Sequence, residues 1–405
     1  MSSGVSSRIA AETRGLPRQF WLLAAGTFVY LIGVDMGYPF MTIYMDRVLG
    51  VSATAIGLIL GVTIFATMPM QVVGGALCDK IGRRPLLAVG ICGSMVLYLG
   101  LGLAHALWLV VAVIAFEAAF GWAQFLTASG AMVADLTPFE RRADAFGIQR
   151  VALNAGVTLG PLLAAPLITA DPTFRLSFVV AGLIIGLFLL MVLTLFKETR
   201  PATVDRESVS ASFRGYAVVL RDHRMVTFCA VALLPLYVFG QIWVTLPIAL
   251  GDLHLVTSQQ WGFLMVAYGA CTAILQYPVV RFLRRHDHML LMAAASAFMG
   301  LGVGFAVFAP WPATFACVIA ISVGVVLLIP ISTTVVSHLA PLKLRGRYMG
   351  AWSLVFMGGY ALGPLLGGRV LDVLGGRGAF AVGAAAGLLG AALFPLLRRG
   401  TPAPV

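Results

Sequence analysis

Residues 136–166 read LTPFERRADAFGIQRVALNAGVTLGPLLAAP, and residues 339–368 read LAPLKLRGRYMGAWSLVFMGGYALGPLLGG. At an offset of 203 residues, Pro138 falls on Pro341, Arg142 on Arg345, Gly147 on Gly350, Gly156 on Gly359, Gly160 on Gly363 and Pro161 on Pro364. Six identities among Gly, Pro and Arg at one spacing mark an internal repeat, so the chain reads as two copies of one unit.

The chain around this repeat has 405 residues, 60% hydrophobic and 11% charged, a balance outside the range of soluble domains. A helix that crosses a bilayer needs about 20 mostly apolar residues. Such runs recur over 20–43, 53–77, 86–104, 107–134, 146–170, 175–196, 225–250, 260–281, 289–309, 312–337, 348–371 and 377–397. They are continuously apolar, whereas barrel strands would alternate, so they are expected to be helices. The 45 glycines fit helices packed closely in lipid. The longest polar stretch, residues 197–224, falls near the midpoint and reads as a cytoplasmic linker. The expected architecture is an all-α integral membrane protein of 12 transmembrane helices in two parallel, pseudo-symmetric six-helix bundles. These are residues 1–196 and 225–405, and repeats of this kind place a substrate site between them near the midplane.

A net charge of +11 invites a nucleic-acid reading, which the distribution rejects. Of 27 basic residues, 22 fall on the side of the termini and the linker and 4 on the other (Arg47, Arg175, Arg369, Arg377), while Arg150 lies within a span. That asymmetry is the positive-inside rule: both termini are expected in the cytoplasm, and the charge faces anionic lipid rather than a phosphate groove. The composition suits a bacterial inner membrane. Five cysteines without a CxxC pair read as free thiols, and the six dispersed histidines offer no metal site. The apolar run after residue 18 is too long for a signal-peptide core and lacks a small-residue cleavage site.

Two motifs bring the whole chain close to a known family. GGALCDKIGRRPLL, residues 74–87, resembles the cytoplasmic loop signature of the major facilitator superfamily, with Gly75, Asp79, Gly82, Arg83 and Arg84 in register. Gly147, Gly156, Gly160 and Pro161 resemble the fifth-span motif of its twelve-helix drug:proton antiporters. The resemblance implies that Asp79 and Arg83 latch the cytoplasmic side against the start of span eleven, and that the fifth span forms a flexible seam. Physically, an acid at a helix end can pair with Arg and with a neighbouring helix N-terminus. The family motif ends in two glycines where this chain has Ala164 and Ala165; span eleven keeps Gly367 and Gly368. In the second half the loop signature is reduced to PVVRFLRRHDH, residues 278–288, a basic anchor.

Ionisable groups inside a span are costly and mark functional sites. Asp35 lies about 12 Å from the outer end of span one and Glu117 about 15 Å from that of span four, so the two sit at similar depth. The resemblance implies that spans one, four, seven and ten line a shared cleft. There, burial and mutual repulsion favour protonated carboxyl groups, and a cationic solute would compete with the proton. Glu117 stands where the family commonly has an arginine, so an arginine relay does not transfer. Arg150 reads as structural, snorkelling to headgroups or pairing with Asp144 or Asp135. Candidate cavity residues are Tyr30, Tyr38, Trp122 and Asn154 in the first half. In the second half they are Tyr237, Gln241, Trp243, Tyr268, Gln276, Trp352 and Tyr360. This aromatic, weakly polar set suits an amphipathic solute better than a sugar or phosphate.

The leading expectation is secondary active, proton-coupled efflux of amphipathic, often cationic small molecules by a monomer without a cofactor. A carrier of the same fold for an amino acid, sugar, siderophore or lipid intermediate is the alternative, and a non-transporting receptor a third. No HExxH or Walker sequence supports an enzyme or an ATP-driven pump.

Overall fold

The computed structural model describes residues 16–200, 219, 221–283, 286–306, 308, 311, 313–341 and 344–400. Most of the expected linker over 197–224 lies outside the described residues, as do Arg284 and Arg285 of the basic loop. The first half contributes α1 (Arg18–Arg47), α2 (Ala53–Ile81), α3 (Arg83–Leu103), α4 (Leu107–Phe120), α5 (Trp122–Leu136), α6 (Arg142–Ala170) and α7 (Arg175–Leu195). The second contributes α8 (His223–Gln241), α9 (Thr245–Asp252), α10 (Ser258–Leu283), α11 (His288–Ala306), α12 (Thr314–Leu339) and α13 (Arg345–Leu393). There is no strand among the described residues.

Among the described residues, ten helical stretches are long and apolar enough to cross a membrane, α4 and α5 counting as one. The last of them contains two helices merged across Gly375, whose φ of 69° only glycine adopts readily. With that division and the 26-residue α10, the twelve expected spans are present. On α7 the exposed side chains Leu183, Leu187 and Leu190 are as apolar as the buried Phe178, Ile185 and Phe188, the mark of a helix that meets lipid.

Proline does not interrupt these helices: α6 runs through Pro161 and Pro166. The breaks fall instead at Gly82, at Gly121, and at Ile242–Val244 between α8 and α9. All five cysteines are free.

Packing groups the chain into two compact units. One is drawn from Met1–Gly37, Pro69–Leu167 and Phe174–Asp205, the other from Tyr38–Met68, Ile168–Thr173 and Arg206–Val405. Helices α1 and α2 thus each contribute to both. Within the second unit, α8 meets α13 where Gly240 faces Gly363, and α11 meets α13 where Gly300 faces Gly387, backbone against backbone. Small residues allow this approach in a membrane, where dispersion rather than water expulsion drives helix association.

Candidate functional site

Within the first unit, Asp35 sits about three-fifths of the way along α1 and is 6% exposed. Its carboxylate has no hydrogen bond or ion pair among the described residues. The fifth-span motif explains how the acid is held. Gly156 lies against Leu31 and the Phe28 carbonyl, and Gly160 against Asp35 itself, so α6 crosses α1 at the acid. Gly147 has open space where a Cβ would stand. The motif therefore divides: Gly156 and Gly160 set a helix crossing, and Pro161 follows them in the buried stripe, whereas nothing packs on Gly147.

Glu117 is built differently. The helix stops at Gly121, where a Cβ would collide with the Glu117 carboxylate, and restarts at Trp122. Glu117 folds back to accept the Trp122 backbone N–H at 3.0 and 3.2 Å on its two oxygens, and Ser94 Oγ at 3.1 Å. Ser94 in turn lies 2.7 Å from the Tyr30 hydroxyl. A chain Tyr30–Ser94–Glu117, buried at Tyr30 and Ser94 and half-buried at Glu117, thus joins α1, α3 and α4, and Tyr30 lies within electrostatic reach of both Glu117 and Asp35. The Tyr30 ring stacks on Phe125 with centroids 4.1 Å apart and lies parallel to half-buried Trp122 at 6.3 Å. Glu117 is a helix cap as well as a membrane-depth acid, a role to which the GW pair four residues later was the sequence signal. Asn154, half-buried on α6, accepts the Thr158 hydroxyl at its backbone carbonyl.

The loop signature forms a second cluster in this unit. Arg83 donates Nε to Asp135 at 2.8 Å and an Nη to Asp79 at 3.2 Å. Asp135, named from the sequence beside Asp144 as a partner for Arg150, pairs with Arg83; its place at the end of α5 brings it to the α2–α3 turn. Gly82 holds φ 105°, and Glu198 fills the space beside it, accepting the backbone N–H groups of Arg83 (2.8 Å) and Arg84 (3.2 Å). Burial pushes the Glu198 carboxyl up, but the N–H groups of Arg83, Arg200, Arg84 and Thr199 outweigh it and hold the group below its ordinary range. Arg84 reaches the carbonyls of Val192 and Leu193 at the end of α7. A Cβ on Gly75 would meet nothing. Sequence reasoning missed Glu198 and Ser94: one lies two residues beyond the last apolar residue of a span, the other is a lone serine within one, and neither position stands out.

In the second unit several cavity candidates converge. The Tyr38 ring lies 5.3 Å from Trp243, which meets Tyr268 edge-on at 5.9 Å, and the Tyr38 and Tyr360 hydroxyls are 3.4 Å apart. Trp352 stands apart from this group, packed on Phe228 at 5.5 Å and Phe356 at 6.1 Å. Tyr237 and Gln241 are buried one turn apart on α8, with Gln241 against Gly383 of α13; Gln276 is half-buried on α10.

Twelve apolar helices in a duplicated chain, with carboxylates at membrane depth, define a multi-pass membrane transporter that handles a small molecule. The family profile described as Major Facilitator Superfamily matches residues 23–255 and 228–405, and the chain belongs to that superfamily. It is 26% identical over 359 residues to the uncharacterized MFS-type transporter YqjV of Bacillus subtilis (strain 168), covering 88% of this chain and 87% of the relative. It is 26% identical over 381 residues to multidrug resistance protein MdtH of Escherichia coli (strain SE11), covering 91% and 89%. Among solved structures, a POT family transporter in complex with 5-aminolevulinic acid superimposes with a TM-score of 0.79 at 14% identity, over 96% of this chain and 97% of that one. These structures share the fold.

Proposed function

We propose that the protein is a proton-coupled exporter of amphipathic, often cationic small molecules, working by alternating access of two six-helix repeats, residues 1–196 and 225–405. Asp35 carries the reading: a buried carboxylate without a hydrogen bond or ion pair among the described residues binds a proton or a cation, and the two exclude each other. Glu117, fixed by Trp122 and Ser94, shares the site through Tyr30. Within the second unit, the aromatic group of Tyr38, Trp243, Tyr268 and Tyr360 presents apolar faces with hydroxyl edges, a surface chemistry that suits amphipathic solutes. A relative named for multidrug resistance supports the same substrate class.

The basic side faces the cytoplasm of a bacterial inner membrane in this reading, the chain works as a monomer, and nucleic acid is no partner. Drug accumulation tests it. Cells overproducing the protein should hold several-fold less of a lipophilic dye cation than cells lacking it, and the difference should vanish on collapse of the proton gradient. Equal accumulation across a panel of lipophilic cations would overturn the substrate class.

A further inference from the structure

Residues 38–68 belong by sequence to the first repeat, yet they pack within the second unit. Helix α2 begins there, and its first N–H groups need acceptors from outside the helix. Ile56 N–H reaches the Ser52 carbonyl at 3.0 Å and Ala55 N–H the Ser52 hydroxyl at 3.3 Å. The first two, Ala53 and Thr54, donate to Oδ1 and Oδ2 of Asp372 at 3.2 and 2.8 Å. Asp372 lies on α13, so a carboxylate of the second repeat caps a helix of the first, with its negative charge at the helix's positive end.

The surroundings form a seal. Gly57 faces the Pro364 carbonyl, Gly61 the Leu365 side chain, and Gly368 the Ala53 carbonyl, each so closely that a Cβ on the glycine would overlap its neighbour. Trp261 Nε1 donates to the Pro39 carbonyl at 3.0 Å, and an Arg47 Nη to Ser258 Oγ at 3.2 Å. All of these lie toward the C-terminal end of α1 and the N-terminal end of α2.

We propose that Asp372 is the latch of a gate on the side where α1 ends and α2 begins, closed when its carboxylate caps α2 and open when that cap is released; the inference rests on the alternating-access reading above. Both partners find water when they separate, which makes the contact reversible, while the glycine faces give it a single closed register.

The test uses the full chain with its five cysteines replaced and a single Leu365→Cys reporter, which faces Gly61 in the seal. Labelling by a membrane-impermeant maleimide from outside reads gate opening. Asp372→Ala should raise the rate about fivefold, the ratio given by losing roughly 1 kcal/mol of capping. Gly368→Ala, which wedges against the Ala53 carbonyl, should raise it as well and decides the question should Asp372→Ala fail to fold. Unchanged labelling in the folded variants would overturn the latch. Labelling needs neither solute nor proton gradient, so a rise in Asp372→Ala together with no proton-coupled flux in the wild type would overturn the exporter reading and leave the latch standing.

Discussion

Gly160 presses on Asp35: a Cβ at position 160 would stand 2.7 Å from the Asp35 Cβ and 2.8 Å from its carbonyl carbon. A motif glycine and a membrane-depth carboxylate, read from the sequence as separate features, are one helix crossing. Whatever moves α6 against α1 moves the acid's surroundings too. Gly160→Ala is therefore expected to force the helices apart, lowering stability by about 1–3 kcal/mol and abolishing transport. Gly147→Ala enters open space and should change stability by less than about 0.5 kcal/mol. Thermal unfolding of the two purified variants in one detergent compares them directly.

Glu117 distinguishes hydrogen bonding from charge. Glu117→Gln keeps an acceptor for the Trp122 N–H, so its melting temperature should stay close to wild type. Glu117→Leu strands that donor beside the break at Gly121 and should cost about 1–3 kcal/mol. Equal melting of the two variants would show that the cap contributes nothing.

The loop signature separates gating from structure. Arg83 is largely buried between Asp79 and Asp135, whereas the Asp79 side chain is 52% exposed. Arg83→Ala leaves Asp135 without its ion-pair partner and is expected to destabilise by roughly 3 kcal/mol. Asp79→Ala should cost less than about 1 kcal/mol yet abolish transport, with membrane insertion intact. Retained transport in Asp79→Ala would remove the gating role.

Glu198 gives a pH dependence. Its carboxyl is held below the ordinary range in the folded protein, so its stabilising contribution is present above the unfolded value of about 4.3 and lost as pH falls through the folded value. The decline of melting temperature below about pH 4.3 should therefore be shallower in Glu198→Gln than in wild type. Parallel curves would show that the cap at Arg83 and Arg84 does not couple to folding.

The spans were legible because lipid leaves few choices: long apolar runs must satisfy their own backbone, and helices do so. The repeat at Pro138/Pro341 and Gly160/Gly363 was legible because Gly and Pro act through the backbone, which the fold reuses. Depth along a span located Asp35 and Glu117. What the sequence hid was direction and partnership. Period and hydropathy do not distinguish the Ser94 that meets Glu117 from any other buried serine, or foretell that Asp135 turns to Arg83. The break at Gly121 carried a signal in its GW pair, whereas the Glu117 carboxylate that accepts the Trp122 N–H across it did not. Pro161, the more conspicuous breaker, sits inside an unbroken α6. Asp372 and Glu198 escaped because a carboxylate just beyond an apolar run looks like an ordinary solvated end until the helix N-terminus it caps is in view.

Proton exchange through Asp35 is tested most directly in proteoliposomes loaded with a pH indicator and acidified inside. Adding a lipophilic cation should alkalinise the lumen in wild type as protons leave in exchange, and the signal should be absent in Asp35→Asn reconstituted at equal density. Solute uptake with no change in lumenal pH, or an undiminished signal in Asp35→Asn, would contradict the coupling.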